Sequence, residues 1–463
     1  MQKSNIGIMS RRHFLAVSGA MAGTTFIDPK SQIYAATHPK SAGSHPKQRI
    51  AIVGTGKRGT GMFGSAIVRD YSDRIEIVGL CDINPGRLEL AKETIGVTCP
   101  TYSDSDFDKM MRETKPDTLI VTTTDDTHDY YINRGMELGA NIICEKPMAI
   151  DENKIQTIID AEKRTGKDCR VTFNYRFSPH RAKMWEVIRS GEIGDLTSID
   201  FHWYLDTSHG ADYFRRWHRL VERGGSLWVH KASHHFDLLN WWIESDPESV
   251  YALGDLEFYG KNGPFRAENC RNCPHTKQCD FYWDIMKSSY NKRLYVDNEK
   301  YDGYLRDGCV FRNDVNIYDK MAATIKYMNG VQVSYSLTAY SPYEGYRIAF
   351  NGTKGRMDAW IQESNPTTDR RYDEIVIAKN FGKREYIQFP QSGGHGGGDK
   401  ILKDQIFILN TPDPYKQAAG VRDGALACLV GIAARKSIKS KEPVMIKDLT
   451  TLIPQTQKEY KRI

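Results

Sequence analysis

Two short stretches of the 463-residue chain carry side chains that can move a proton near neutral pH. The first contains Lys146, just after the apolar run 141–144, and the second carries His230 and His234. A lysine at the carboxyl end of a parallel strand points into the crevice where such sheets bind ligands, and its ammonium can polarise an alcohol or carbonyl oxygen or relay a proton. Histidines four residues apart share one face of a helix, and an unperturbed histidine titrates near neutral pH. These three residues are our candidates for acid–base catalysis.

A glycine-rich turn supplies a second chemical signal, because it follows the apolar run 49–53 with the spacing G-x-G-x-x-G. The first glycine permits a tight turn, the second lets the backbone approach a pyrophosphate, and the third lets the next helix pack against the strand. The helix then begins with its amino end facing the phosphates. We predict that the turn binds a dinucleotide through Gly54, Gly56, Lys57, Arg58 and Gly59.

An acidic residue stands where a ribose-binding carboxylate belongs in such a site. Asp82 closes the apolar run 75–80 and lies 23 residues after Gly59. A carboxylate at this point repels a 2′-phosphate, so the pattern favours NAD over NADP. Arg87 is close enough in sequence to temper that preference.

The elements that must position these residues alternate between strand and helix from residue 49 to about residue 173. Such alternation predicts a doubly wound parallel sheet of the Rossmann type. The predicted strands are 50–53, 75–80, 118–122, 141–144 and 170–173, and the predicted helices are 84–94, 104–113, 127–138 and 151–165.

After residue 194 the pattern changes to longer alternating segments, and Asn329-Gly330 between two of them is a strong hairpin signal. The second half therefore predicts an α+β domain with a large, open, mostly antiparallel sheet. Its predicted strands are 197–205, 250–258, 322–328, 331–337, 347–352 and 374–378, and its late helices are 400–409 and 417–436.

The amino-terminal residues have the pattern of an export signal rather than of a fold element. Ser10-Arg11-Arg12-His13-Phe14-Leu15 resembles the twin-arginine consensus, and a modestly apolar stretch follows it. We assign residues 1–36 to the signal, 37–47 to a linker, 48–173 to the nucleotide domain and 174–463 to the substrate and oligomerisation domain. No later apolar run can span a bilayer, and a net charge of +6 without a basic tract argues against nucleic acid as a partner.

The tripeptide Glu145-Lys146-Pro147 completes a set of features that resembles the Gfo/Idh/MocA family of nicotinamide-dependent oxidoreductases. The other features are the glycine turn, the acidic residue after the second strand and the mixed-sheet domain that follows. The resemblance implies a Rossmann domain and an open sheet that supplies the substrate pocket and often the interface of a dimer or tetramer. It also implies a sugar, inositol or similar polyol as substrate, with Glu145 and Lys146 at the cofactor.

Two further segments carry over from the family, each with a departure. The segment 121–128 resembles T-P-N-x-x-H with Thr124 in place of proline, which puts Thr123 beside the cofactor. The segment 224–237 resembles G-G-x-L…D-x-G-x-H-x-x-D and places His234 at the family's catalytic histidine, whereas His230 replaces the usual aspartate. This leaves open whether Lys146 and His234 perform simple alcohol dehydrogenation or His230 and Lys231 form a modified site. A zinc pair or packing histidines are the other interpretations of H-x-x-x-H.

Further polar and aromatic groups are candidates for the substrate pocket. Arg176 stands in a segment that resembles the family's R-x-x-P, and Asp237 ends the histidine motif. Tyr213 and Trp217 precede that motif and could form an aromatic wall. For each of these the alternative is an ordinary structural contact.

A cysteine-containing insertion of about residues 260–315 interrupts the second domain. Cys270, Cys273 and Cys279 have the start of a zinc knuckle, with Cys309 or His275 as the fourth ligand. Export to an oxidising compartment makes a disulfide an equal alternative, and free thiols are the third. In each case the segment is interpreted as a structural staple.

Export also constrains the reaction, because no nicotinamide pool exists outside the cytoplasm. We therefore expect tightly bound NAD that is regenerated in each cycle. Two reactions meet this demand: oxidation of one sugar with reduction of another, or transient oxidation of a glycoside followed by elimination and re-reduction. The exported NAD-dependent glycoside hydrolases of the superfamily use the second and share the G-H-G-G-x-D segment, here residues 394–399. The intact E-K-P favours the oxidoreductase, and a non-catalytic sugar-binding protein is the third interpretation.

Overall fold

The computed structural model describes residues 46–364, 372–390 and 393–457. The predicted export signal and most of the linker lie outside these ranges. None of the helices within them is long and apolar enough to cross a bilayer.

The first sheet has six parallel strands in the order β3-β2-β1-β4-β5-β6. This is the strand order of a Rossmann fold, and it confirms the predicted doubly wound sheet. Its central strands are apolar because helices cover both faces, and residues 50–53 of β1 are 0–1% exposed. The strands are β1 (Gln48–Val53), β2 (Ile75–Cys81), β3 (Thr101–Tyr102), β4 (Thr118–Val121), β5 (Asn141–Cys144) and β6 (Cys169–Val171).

The crossover helices begin and end at residues with clear local signals. The third starts after Asn84, whose side chain accepts a hydrogen bond from the Arg87 backbone, and it ends at the left-handed Gly96. The sixth starts after Asp151, which caps Lys154, and ends at the left-handed Gly166. The helices are α1 (Lys57–Thr60), α2 (Ala66–Tyr71), α3 (Pro85–Ile95), α4 (Phe107–Thr114), α5 (His128–Glu137) and α6 (Glu152–Thr165), with a π-helical turn, Gly61–Ser65, between the first two.

Within the described residues the second sheet has nine strands, in the order β14-β13-β12-β11-β7-β10-β9-β8-β15, and of these only β7 and β10 pair in parallel. The predicted hairpin is present, with Gly330 in the left-handed region. The strands are β7 (Leu196–Asp206), β8 (Pro247–Asp255), β9 (Lys320–Tyr327), β10 (Gln332–Ser341), β11 (Glu344–Gly352), β12 (Gly355–Ser364), β13 (Tyr372–Lys379), β14 (Arg384–Pro390) and β15 (Val444–Met445).

One face of this sheet is covered by two helices of the same domain. The residues of Ser233–Ile243 are all buried, and Val421–Ser440 packs against that helix and against β8. The opposite face is only half-buried, as the alternation along β7 shows. The helices are α7 (Pro179–Arg189), α8 (Thr207–Arg215), α9 (Val221–Gly224), α10 (Leu227–His230), α11 (Ser233–Ile243), α12 (Ser289–Leu294), α13 (Glu299–Asp302), α14 (Gly393–Gly396), α15 (Gly398–Phe407) and α16 (Val421–Ser440).

The cysteine-containing insertion lies between β8 and β9 and contacts the nucleotide domain as well as its own. Leu90 of α3 packs with Ile285, Leu294 and Tyr295 of the insertion in one apolar cluster. Asn84 donates a hydrogen bond to a backbone carbonyl of the insertion. The segment therefore ties the two domains together at the end of the first sheet where α3 begins.

Candidate active site

The glycine turn after β1 has the geometry that its spacing predicts. Gly54 has φ of 90°, and a Cβ there would lie 2.6 Å from the Thr122 backbone. A Cβ on Gly59 would lie 2.1 Å from the Gly54 carbonyl oxygen, whereas a Cβ on Gly56 would meet no atom within 4 Å. The first and third glycines are thus required by packing, and the backbone at Gly56 faces open space. This cradle fits the pyrophosphate of a dinucleotide.

The basic residue of this turn that lies nearest the E-K-P segment is Arg58. Its Nε lies 2.6 Å from Oε1 of Glu145, which is 7% exposed. Lys57 is exposed at the start of α1. Thr123, just after β4, accepts a 2.8 Å hydrogen bond from the Thr127 hydroxyl. The turn and the carboxyl ends of β4 and β5 therefore meet at one edge of the sheet.

The carboxylate of Asp82 is held in place at the end of β2. Oδ2 accepts hydrogen bonds from the backbone and hydroxyl of Thr55 at 2.6 and 3.0 Å, and Oδ1 accepts one from the Asn84 backbone at 2.8 Å. The Arg87 guanidinium lies 3.6 Å from Oδ1. The predicted ribose ligand is therefore preorganised beside the glycine turn.

Lys146 lies between the nucleotide turn and the second domain. Its Nζ donates a hydrogen bond to the backbone carbonyl of His230 at 3.1 Å. Burial of the ammonium lowers the pKa of Lys146 to about 8, although Asp125 and Glu145 oppose the shift. A lysine with such a pKa can exchange a proton near neutral pH.

His230 forms a buried pair with Asp125, a residue that the sequence analysis did not single out. Nδ1 of His230 lies 2.5 Å from Oδ2 of Asp125. Burial raises the pKa of Asp125 and lowers the pKa of His230, so both groups favour their neutral forms. Tyr213 and Trp217 approach the His230 ring edge-on, with centroids 5.4 and 5.9 Å away. The structure therefore brings the predicted site residues Tyr213 and Trp217 together with His230 at this pair.

His234 lies among buried aromatic rings, close enough to Lys146 to interact with its charge. It stacks on Tyr175 with centroids 4.2 Å apart, and its Nδ1 is buried without a hydrogen-bond partner in the described residues. Burial, reinforced by the positive charges of Lys146 and Lys231, holds the pKa of His234 well below its usual value. The imidazole is therefore neutral, and its Nδ1 is an enclosed polar atom without a hydrogen bond to any described residue.

A network of hydrogen bonds connects the histidine motif to the second sheet, and the sequence analysis had named only Lys231 and Tyr213 of its members. Lys231 donates to the Tyr175 hydroxyl at 2.9 Å and lies 3.5 Å from Glu344. Glu344 also pairs with His209 at 2.7 Å, and the Lys231 and His209 charges hold the pKa of Glu344 down to about 2 against its burial. His209 in turn contacts the Tyr213 hydroxyl at 2.9 Å. Only His209 and Tyr213 are close in sequence, and the other pairs join residues that no sequence motif links.

An open cleft of about 960 Å³ lies next to this network of polar side chains, and Tyr175, His209 and Glu344 line it. Carboxylates and aromatic rings dominate its walls, and residues of the insertion form one of them. The side chains that define it are Tyr175, Asp206, His209, Asp212, Arg215, Phe258, Asp280, Phe281, Tyr282, Trp283, Glu344, Glu363 and His395. Such a lining suits a ligand with several hydroxyl groups and apolar ring faces.

The glycine-rich segment 394–399 delivers one more histidine to the cleft. His395 lies 3.0 Å from Asp399 and its ring centroid is 5.6 Å from that of Tyr175. Asp399 also accepts a hydrogen bond from Asn174 at 2.6 Å. A Cβ on Gly398 would lie 2.4 Å from the Asn174 carbonyl oxygen, so the segment packs closely on the loop after β6.

Arg176 and Asp237, two of the predicted substrate ligands, lie in the interior rather than along the cleft. The Arg176 guanidinium makes two hydrogen bonds to the Asp237 carboxylate, at 2.5 and 2.7 Å, and a third contact to Asp423 at 3.1 Å. Both Arg176 and Asp237 are 0% exposed. These ion pairs connect the loop after β6 to α11 and α16. Arg176 and Asp237 therefore have a structural position away from the cleft.

The cysteines of the insertion are not joined by a disulfide in the part of the chain that the structure describes. All nine cysteines of the chain are free, and no group of three or more potential ligands gathers anywhere in ranges 46–364, 372–390 and 393–457. Sγ of Cys273 and Sγ of Cys309 each accept a backbone hydrogen bond, and Cys270 accepts one from Arg215. A zinc site that includes Cys279 stays a prediction from the sequence.

Comparison with known proteins places both domains. Residues 48–173 match the model of the oxidoreductase family's NAD-binding Rossmann fold, and residues 186–446 match that of the family's C-terminal alpha/beta domain. A Bacillus subtilis (strain 168) protein named YteT and described as an oxidoreductase is 36% identical over 87% of this chain and 98% of its own. Glycosyl hydrolase family 109 protein 1 of Akkermansia muciniphila is 30% identical over 82% of this chain and 76% of its own. The structure of a levoglucosan dehydrogenase, in complex with NADH and levoglucosan, covers 86% of this chain and 99% of that protein with a TM-score of 0.62 and 18% identity.

Proposed function

The chain belongs to the Gfo/Idh/MocA family of oxidoreductases, and from this premise we propose that it oxidises a CH–OH group of a sugar, polyol or glycoside with bound NAD. The observation that carries the proposal is the position of Lys146. Its Nζ lies against the His230 backbone. Its charge interacts with Arg58 of the nucleotide turn, with the neighbouring Glu145, and with Lys231 of the histidine motif. A proton acceptor is thus located between the cofactor cradle and the carbohydrate cleft.

The residues of the chain divide the proposed reaction between them. Gly54, Gly56 and Asp82 would hold the dinucleotide, whose nicotinamide accepts a hydride when the alcohol is oxidised. Lys146 takes the hydroxyl proton at Nζ, and the carbon–oxygen bond becomes a carbonyl as the hydride leaves the carbon. His234 is neutral and close enough to Lys146 to interact with its charge, so we infer that its imidazole hydrogen-bonds the reacting oxygen and fixes its position. The Asp125–His230 pair holds the backbone carbonyl that orients Lys146.

The pH dependence of oxidation follows from the lysine. The base must be unprotonated, and the fraction of neutral Lys146 falls about tenfold for each pH unit below its pKa of about 8. We expect the logarithm of the oxidation rate to rise with pH with a slope near one up to about pH 8, and then to become constant. Since burial keeps His230 and His234 neutral, neither histidine should add a second ionisation near pH 6 to the rate profile. A profile of single-turnover cofactor reduction between pH 5 and 10 measures this, and a flat profile would contradict the assignment of the base.

The proposed cellular setting is export by the twin-arginine pathway to the periplasm, with NAD retained and regenerated within each cycle. It is supported by Arg11-Arg12 at the amino end of the chain. The half-buried face of the second sheet, with Tyr204, Tyr343 and Trp360 on it, supports a homo-oligomer. The carbohydrate substrate is supported by the carboxylate and aromatic lining of the cleft.

One experiment tests the cofactor and the closed cycle together. Purified protein is denatured and the released nucleotide is identified by mass, and the native protein is incubated with free sugars and glycosides without added cofactor. We expect about one NAD per chain and conversion of a carbohydrate. Protein that carries and binds no dinucleotide would contradict the proposed activity. A requirement for added NAD, consumed one for one, would contradict the closed cycle alone.

A glycoside hydrolase that uses transient oxidation is the second candidate. It is favoured by His395 and Asp399, which bring an additional acid–base pair to the cleft, and by the relative described as a glycosyl hydrolase family 109 protein. The same incubation separates the two, because release of an aglycone without net oxidation would establish the hydrolase.

A further inference from the structure

The insertion places a carboxylate beside the cofactor residues of the other domain. Asp302, the last residue of α13, pairs with the Arg87 guanidinium. The second oxygen of Asp302 accepts a hydrogen bond from the Tyr304 backbone at 3.1 Å, which fixes the carboxylate. The Arg87 and Asp302 side chains are 11% and 10% exposed, so this pair is nearly closed to water.

The contact is part of a larger seam between the insertion and the start of α3. Asn84 donates through Nδ2 to the Asn298 carbonyl at 3.0 Å, and its Oδ1 caps the Arg87 backbone at 3.1 Å. A Cβ on Gly86 would lie 1.8 Å from Oδ1 of Asn298, so the two segments touch closely. Arg87 is therefore held on both sides, by Asp82 of its own domain and by the insertion.

The charges around Arg87 decide what a phosphate would meet there. Asp82 is the proposed ligand of the adenosine ribose, and Arg87 Nε lies 3.6 Å from its carboxylate. An arginine at this place can accommodate the 2′-phosphate of NADP. Here the single positive charge of Arg87 faces two carboxylates, Asp82 and Asp302, so the net charge of the three side chains is negative.

We propose that Asp302 is a specificity-determining residue that selects NAD against NADP by engaging Arg87. The inference rests on the proposed dinucleotide function and assigns to the insertion a role beyond that of a staple. The 2′-hydroxyl of NAD needs only an acceptor, which Asp82 supplies. A 2′-phosphate would have to displace Asp302 from Arg87 and then lie between two carboxylates.

The test uses the full chain and a binding readout. Protein is dialysed to a constant composition against equal concentrations of NAD and NADP, then denatured, and the ratio of released nucleotides is measured. Asp302→Asn keeps the acceptor for the Tyr304 backbone and removes the charge. We expect it to lower the ratio of NAD to NADP by about tenfold relative to the unmodified protein, since a unit charge near the phosphate acts at short range.

Two further variants make the result specific. Asp314→Asn removes the same charge from the insertion, but next to Arg219 and Arg312, and it should leave the ratio unchanged. Arg87→Gln in the Asp302→Asn background should abolish the gain in NADP. An unchanged ratio in Asp302→Asn, or a gain that persists without Arg87, would overturn the inference. If the folded unmodified protein bound neither dinucleotide, the proposed function itself would fall, and this inference with it.

Discussion

Replacement of Lys146 by methionine is expected to lower the rate of substrate oxidation by about a thousandfold or more while the protein keeps its nucleotide. Methionine has nearly the same length and fills the same space, but it can neither take up nor release a proton. General acid–base catalysis by one positioned group contributes about a hundred- to ten-thousandfold. Lys146 is also the group whose pKa, about 8, best matches a proton acceptor near neutral pH.

The measurement combines single-turnover reduction of the bound cofactor with the mass of the nucleotide released on denaturation. Lys163→Met is a matched control, because Lys163 is an exposed lysine on α6 of the same domain. It should change neither quantity. A Lys146→Met protein that retained most of its rate would transfer the role of base to the Asp125–His230 pair. Loss of nucleotide together with activity would instead make Lys146 a cofactor ligand.

The parts of the site that sequence could predict are those fixed by local geometry. The turn at Gly54, Gly56 and Gly59 follows from how closely backbones approach there, and Lys146 follows from its place at the end of a parallel strand. Five strands of the first sheet were predictable for the same reason, since runs such as 141–144 are short, apolar and separated by helices. The sixth, β3, was not predicted, because it has only two residues. In the second sheet, β12 and β14 were not predicted, because half-buried strands with charged residues lack a clean apolar run. The two-residue β15 was not predicted either.

The pairs that join distant parts of the chain could not be predicted in this way. Asp125 and His230 are 105 residues apart, and only the packing of α10 against the segment after β4 brings them together. The motif comparison noted that His230 replaces an aspartate. It could not show that the carboxylate of Asp125, in the turn after β4, lies 2.5 Å from that histidine.

The insertion shows the same limit for a whole segment. Its cysteines drew attention to a structural role, but its other residues carry the contacts that bear on function. Residues 280–283 line the cleft, and Asp302 reaches Arg87 on the nucleotide domain. Tertiary docking of this kind depends on side chains that have no pattern of their own, such as Asn298 and Asp302.

Removal of the Asp237 charge is expected to destabilise the protein strongly without weakening substrate binding. Asp237→Asn leaves the guanidinium of Arg176 without its bidentate partner in a site that is 0% exposed. Breaking a buried pair by removing one partner costs about 3–5 kcal/mol, because the remaining charge stays desolvated. The contact to Asp423 compensates only in part, since a single 3.1 Å contact replaces a two-pronged one.

Urea unfolding measures the loss of stability, and the KM of the folded fraction measures binding. Asp358→Asn removes a carboxylate from an exposed pair with Arg356, and we expect it to cost no more than about 1 kcal/mol. The KM of Asp237→Asn should match that of the unmodified protein, because neither Asp237 nor Arg176 lines the cleft. An increase in KM without a loss of stability would return the two residues to the substrate site, where the sequence motifs alone had placed them. The motif thus identifies Arg176 and Asp237 as important positions, and we expect their role in this fold to be structural stability and not substrate binding.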